Sequence, residues 1–165
     1  MGKMSVAVVM GSGNDAPKME GCFKTLGDFG IPFTKNVISA HRTPDDAAAF
    51  AKSLVEKDVG VVICAAGQAA HLAGVFSAFT VRPVIAVPIV GTFMGGLDSL
   101  LSMVQMPSGI PVGCVAAHDG GPTNAALLAI EILAVSDAGL TQKLLDHKKE
   151  MARKTKEADA KLNMS

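Results

Sequence analysis

Val6-Ala7-Val8-Val9-Met10-Gly11-Ser12-Gly13-Asn14-Asp15-Ala16 opens with an aliphatic run and breaks directly into glycine, a small hydroxyl, glycine and an acid. A short apolar run ended by such a turn reads as a strand, and Pro17 just beyond suits the first turn of a helix. Four more runs follow the same grammar: Phe33–Ile38, Val61–Ala65, Val84–Val87 and Val112–Ala116, with helix-like stretches between them. Strands alternating with helices predict an α/β fold, a five-stranded parallel sheet covered on both faces. The third to fifth runs are almost continuously apolar and read as central strands. The second, Phe33-Thr-Lys-Asn-Val-Ile38, carries polar residues and reads as an edge.

The helices have their own punctuation. Gly30 closes the first before Ile31-Pro32. Thr43-Pro44-Asp45-Asp46 reads as an N-cap, a first-turn proline and two acids placed where the helix dipole favours them. Asn124 reads as the cap of an alanine-rich helix over Ala125–Ala134, and a long, outwardly charged helix is expected over about 137–162. With no repeat or linker, residues 1–165 are expected to form one domain.

Composition removes several function classes. The chain has 165 residues, no Trp or Tyr, and Lys+Arg 15 against Asp+Glu 15. Neither an aromatic stacking platform nor a basic footprint is present, so nucleic acid is not an expected partner. Cys22, Cys64 and Cys114 are widely spaced, which argues against a disulfide framework or thiolate metal site and for a reducing, cytoplasmic setting. Residues 59–142 hold only Arg82, Asp98, Asp119, Glu131 and Asp137 as charges. Val59–Val81 has none, yet Gly67, Gln68, His71, Ser77 and Thr80 interrupt it, so it reads as buried strand, loop and helix and not as a membrane span.

In a doubly wound sheet, ligands bind outside the carboxyl ends of the strands. That rule selects the loops 11–15, 39–43, 66–71, 88–96 and 117–123, which hold most of the polar residues of the apolar region. Gly11-Ser12-Gly13-Asn14-Asp15-Ala16 matches a dinucleotide fingerprint, but the second strand ends in Ser39-Ala40-His41-Arg42 and not in the acid that would hold a ribose. The loop therefore reads either as a cradle for one phosphate, with Ser12 donating, or as an ordinary tight turn. Asp15 is either an N-cap or a ribose-hydroxyl acceptor. Arg42 offers a planar fork to phosphate, and the imidazole of His41 can both take and give a proton.

His71 is either a buried, hydrogen-bonded structural residue or a member of the site. His118 can pair with Asp119, while His147 reads as solvated. Four scattered histidines without metal-ligand spacing give no metal site, and neither a G-x-S-x-G elbow nor a P-loop is present. What remains is proton transfer by histidine on a small phosphorylated substrate, with no cofactor.

Met10-Gly-Ser-Gly-Asn-Asp15, Ser39-Ala-His-Arg-Thr-Pro44, Ala65-Ala-Gly-Gln-Ala-Ala-His-Leu72, Gly96-Leu-Asp-Ser-Leu-Leu-Ser-Met-Val-Gln-Met-Pro107 and Asn124-Ala-Ala-Leu-Leu128 resemble the PurE family of purine biosynthesis in order and spacing. The resemblance implies a flavodoxin-like three-layer α/β/α sandwich, assembled as a homo-octamer, acting on an aminoimidazole ribonucleotide. It implies substrate-binding roles for Ser12, Asp15, Ser39 and Arg42, together with Gly11, Gly13, Asn14, Gly67, Gln68, Ala69 and Leu72 of the same loops. His41 matches the family's acid-base residue and His71 the second histidine of its site.

Ser-Ala-His-Arg and Ala-Ala-His-Leu side with the branch that interconverts N5-carboxyaminoimidazole ribonucleotide and 4-carboxy-5-aminoimidazole ribonucleotide. The alternative branch carboxylates aminoimidazole ribonucleotide with carbon dioxide directly, and a further alternative is a non-catalytic nucleotide-binding module that uses the phosphate cradle alone. Gln68, which replaces a usual glycine, either adds a donor toward the migrating carboxylate or narrows the pocket. His118-Asp119 and the bulky 90–94 segment also depart from the family pattern.

Overall fold

In a computed structural model, residues 4–91 and 93–163 are described; the ends of the expected domain, 1–3 and 164–165, lie outside them, as does Thr92 of the 88–96 loop. The strands are β1 (Ser5–Met10), β2 (Phe33–Val37), β3 (Val59–Gly67), β4 (Val84–Ile89) and β5 (Gly113–Cys114). The helices are α1 (Glu20–Phe29), α2 (Pro44–Ser53), α3 (Leu72–Phe79), α4 (Leu97–Val104), α5 (Gly121–Ala134) and α6 (Ala138–Asn163). The sheet is parallel with order β2-β1-β3-β4-β5. That is the flavodoxin-like winding, whose direction reverses between β1 and β3.

Strand alternation divides the core. Val6, Val8, Met10, Val61, Ile63, Ala65, Ile85, Val87 and Ile89 point to one face and pack with α1, α5 and the start of α6. Ala7, Val9, Val62, Cys64, Val84 and Ala86 point to the other and meet α2, α3 and Met103 of α4. Since every β3 side chain from Val59 to Ala66 is buried, the sequence there has no polar face to show. Phe76, fully buried on α3, anchors the second layer, a burial worth about 2–3 kcal/mol.

The second strand is the edge its polar residues indicate. The fifth, expected in the centre, is the opposite edge: only Gly113 and Cys114 pair with β4, and one further bond runs from Val115 N–H to the Ala86 carbonyl at 3.1 Å. Its apolar character comes from helices and not from a second neighbouring strand. Val112 and Cys114 pack into one core layer and Val115 into the other.

Gly30 ends α1 at φ 71°, and its N–H bonds back into the last turn. Asn124 does not cap α5. The helix already begins at Gly121, with Gly120 in the capping position, Pro122 in the first turn and the Asn124 N–H bonded to the Gly120 carbonyl. Thr43 precedes α2 as expected, yet its hydroxyl bonds Ser39 and not the helix's free N–H groups. Asp137 starts α6, its Oδ1 accepting from Gly139 and Leu140 N–H. His147 is half-buried edge-on against Phe29 and not simply solvated. Among the described residues no helix is long and apolar enough to cross a membrane.

Candidate active site

A cavity of about 580 Å³ opens at the carboxyl ends of the strands, around the point where the winding reverses. Four of the five loops chosen from the sequence contribute to it. Gly11, Ser12, Asn14, Asp15, Ser39, His41, Arg42, Gly67, Gln68, Ala69, His71 and Leu72 all line it; Gly13 does not. The fifth loop goes elsewhere: His118 and Asp119 line a neighbouring cavity. No bond joins those two, and His118 Nδ1 instead accepts from the Gly120 N–H at 2.9 Å.

The first loop is knotted to itself. Ser12 is the N-cap of the 3-10 turn Gly13–Met19: its Oγ accepts from Asn14 N–H at 3.2 Å, and Asp15 Oδ2 accepts from Ser12 N–H at 3.1 Å. Asp15 is therefore the reciprocal acid of a capping box, not the N-cap. With Gly11 N–H bonded to the Ala65 carbonyl and Asp15 N–H to the Ser12 carbonyl, most of the expected backbone cradle is already engaged. The Ser12 hydroxyl still has its own proton to donate. Burial raises the Asp15 carboxyl above its ordinary value, against the opposing pull of the Ser12 N–H and Lys18.

Arg42 ties two strand ends together. Its Nη2 donates to the Gly11 carbonyl at 3.1 Å and its Nε to Ser39 Oγ at 3.4 Å, while its backbone N–H also reaches Ser39 Oγ. A guanidinium has five N–H donors, so these two side-chain bonds orient the fork and leave donors for an anion. His41 follows Ala40 in the turn after β2. Its Nε2 lies 2.9 Å from His71 Nδ1, with the rings nearly perpendicular at 87°. His71 is exposed at the start of α3, which removes its reading as a buried structural residue.

The β3 end needs a glycine. A Cβ on Gly67 would stand 3.1 Å from the Ile89 carbonyl oxygen of the paired strand, so the close approach of these two loops depends on its absence. Lys18, Ala40, Ala66, Ile89, Val90 and Gly91 complete the lining. Of these, Lys18 lay outside every loop selected from the sequence. Its Nζ donates to the Val90 carbonyl at 2.9 Å and pins the loop after β4. Its one sequence signal was a place one turn beyond Asp15.

A neutral imidazole pair shares one proton across its hydrogen bond. When His41 Nε2–H donates, His41 Nδ1 is a free base; when His71 Nδ1–H donates, His71 Nε2 is. Such a pair can take up one proton, and the bond between the rings then becomes charge-assisted. The cavity thus combines an anion fork, a hydroxyl, a carboxylate and a bonded acid-base pair.

A family model described as AIR carboxylase matches residues 5–154. The chain is 46% identical over 160 residues to the N5-carboxyaminoimidazole ribonucleotide mutase of Pyrococcus horikoshii, covering 97% of this chain and 89% of that protein. It is 45% identical over 144 residues to the phosphoribosylaminoimidazole carboxylase of Saccharomyces cerevisiae, covering 87% of this chain and 25% of that longer one. A crystal structure of Treponema denticola PurE superposes with a TM-score of 0.87 at 31% identity, covering 95% of this chain and 97% of that one.

Proposed function

This chain belongs to the AIR carboxylase family, and we propose that it is a mutase interconverting N5-carboxyaminoimidazole ribonucleotide and 4-carboxy-5-aminoimidazole ribonucleotide in purine biosynthesis. The observation that carries the reading is the 2.9 Å bond between His41 and His71 within reach of one cavity with Arg42, Ser12, Asp15 and Ser39. Arg42 and Ser39 take the phosphate with the Ser12 hydroxyl, Asp15 accepts from the ribose, and the loops 11–15 and 67–72 enclose the ring.

Protonated His41 gives its proton to the exocyclic nitrogen as the carbamate N–C bond breaks, and the bond's electron pair stays with nitrogen. Carbon dioxide, held beside the ring, is attacked by C4, which forms the new C–C bond. Neutral His41 then takes the C4 proton, restoring aromaticity, so the proton spent in the first half is recovered in the second. His71 accepts the Nε2–H bond of His41 in the tautomer that leaves His41 Nδ1 free as base, and it stabilises the imidazolium that follows. Confinement supplies the rest, because a trapped intermediate reacts at effective molarities that reach about 10⁵ M in well-oriented systems.

We assign the enzyme to the cytoplasm, acting as a single-domain subunit of an octamer. Leu97, Leu101 and Val104, spaced along one exposed side of α4, support subunit contacts. Light scattering on purified protein reads that assembly. The activity is tested by supplying N5-carboxyaminoimidazole ribonucleotide in carbon-dioxide-depleted buffer: conversion without bicarbonate is expected. A second reading, direct carboxylation of aminoimidazole ribonucleotide with carbon dioxide, is supported by the similarity to one part of the yeast carboxylase. Turnover only of aminoimidazole ribonucleotide with added bicarbonate would select it.

A further inference from the structure

Three non-glycine residues among those described have positive φ: Asp58, Gln68 and Met94. Only Gln68, at φ 57°, lines the active-site cavity. A side chain kept in a conformation that glycine adopts freely stores strain, and such strain gathers where a particular side chain is useful. Gln68 is exposed, and among the described residues no hydrogen bond engages its amide. It stands between Gly67, pressed against the Ile89 carbonyl, and Ala69, whose carbonyl accepts from the His71 N–H at 2.9 Å. The same short loop therefore carries both the amide and one of the paired histidines.

The cations lie on other walls. Arg42 is tied to Gly11 and Ser39, and Lys18 to Val90. Of the lining residues, Gln68 and Asn14 carry neutral carboxamides, each with two N–H groups and one carbonyl, and of the two only Gln68 shares its loop with one of the paired histidines. We propose that Gln68 is a specificity-determining residue whose carboxamide hydrogen-bonds the transferred carboxyl group, an inference that rests on the mutase reading above. A neutral donor suits this task. The migrating group is an anion at both ends of the reaction and neutral carbon dioxide in between, and a fixed cation would favour the anionic ends over the middle. An amide dipole follows the group through both states with a smaller difference in binding.

The test compares wild type, Gln68→Gly and Gln68→Glu by calorimetric titration with two ribonucleotides, 4-carboxy-5-aminoimidazole ribonucleotide and its uncarboxylated counterpart. Loss of a hydrogen bond to a charged group predicts about ten-fold weaker binding of the carboxylated nucleotide in Gln68→Gly. The uncarboxylated one should stay within two-fold. Gln68→Glu keeps the side-chain shape and adds like charge, so it should weaken the carboxylated ligand further while sparing the other, and it serves if glycine loosens the loop. Equal weakening of both ligands, or of neither, overturns the proposal while the mutase reading stands. A wild-type protein that binds neither nucleotide overturns both.

Discussion

Gly67→Ala tests whether the meeting of β3 and β4 sets the geometry of the site. The added Cβ would lie 3.1 Å from the Ile89 carbonyl oxygen and 3.6 and 3.7 Å from the Ile89 Cβ and Cγ2, against 3.4 Å where ordinary contact begins. The atom met first is backbone, so the strand ends must part by a few tenths of an ångström. Overpacking of this kind costs about 1–3 kcal/mol. For a chain of this size that lowers Tm by about 2–12 °C, at roughly 2–4 °C per kcal/mol.

The displacement does not stop at the sheet. Gly67 leads into the loop that carries His71, and Ile89 leads into Val90 and Gly91 of the opposite wall, so relaxation moves both sides of the cavity. Small misplacements weaken catalysis steeply, and about a ten-fold loss of kcat/KM is expected. Differential scanning calorimetry and steady-state assays read the two effects. Gly27→Ala is the control: it lies within α1, with nothing within 4 Å of its added Cβ, and should raise Tm by about 2–4 °C without altering turnover. A Gly67→Ala protein with wild-type Tm and wild-type kcat/KM would refute the reasoning.

His41→Asn should preserve the circular dichroism spectrum and nucleotide binding while lowering kcat by about 10²–10⁴-fold, the usual worth of a general acid-base group; substantial residual turnover would remove His41 from that role. Asp15→Asn keeps an oxygen for the Ser12 N–H but drops a carboxylate whose folded pKa burial raises. A raised carboxyl makes the folded state bind more protons than the unfolded one just above the ordinary Asp range, so the charge costs stability as pH rises through that window. The variant should accordingly exceed wild type in Tm at pH 7 and lose that advantage in acid, and a constant difference across pH would contradict this. Burial pushes the Cys22 thiol up to about 12 and raises Cys64 and Cys114 as well. Native protein at pH 8 should then react slowly with a thiol reagent and quickly once denatured, and a fast native thiol would count against the packing.

Sheet and layers were legible because β1, β3 and β4 are buried on both faces and so write themselves as unbroken apolar runs. The same rule misled at β5, where Val112, Cys114 and Val115 are apolar through helix contacts and the strand has a neighbour on one side only. Local capping was half legible. Ser12 and Asp15 sit at capping-box spacing, whereas Asn124 looked like a cap although Gly120-Gly121-Pro122 had already turned the chain. Individual site loops could be chosen by the strand-end rule. The bond between His41 and His71 could not, since it joins residues from two crossovers and depends on how β2 and β3 flank β1. Lys18 escaped because it reaches the cavity from a helix-start turn and not from a strand end.

The C-terminal helix gives the molecule two separate stabilities. Leu140 and Leu144 are buried and Lys143 donates to the Phe29 carbonyl, so the first turns of α6 share the fate of the core. From Met151 to Asn163 every residue is exposed, and the helix is tied within itself by pairs such as Arg153 with Glu150 and Glu157. Exposed pairs of this kind are screened by water and add little, and a short helix resting on them alone is marginal. Amide protons of these outer turns should therefore exchange through local opening that costs little, while those of β3 wait for global unfolding. Within one continuous helix, the boundary between the two exchange regimes falls just past His147, the last side chain seated against a core residue, Phe29.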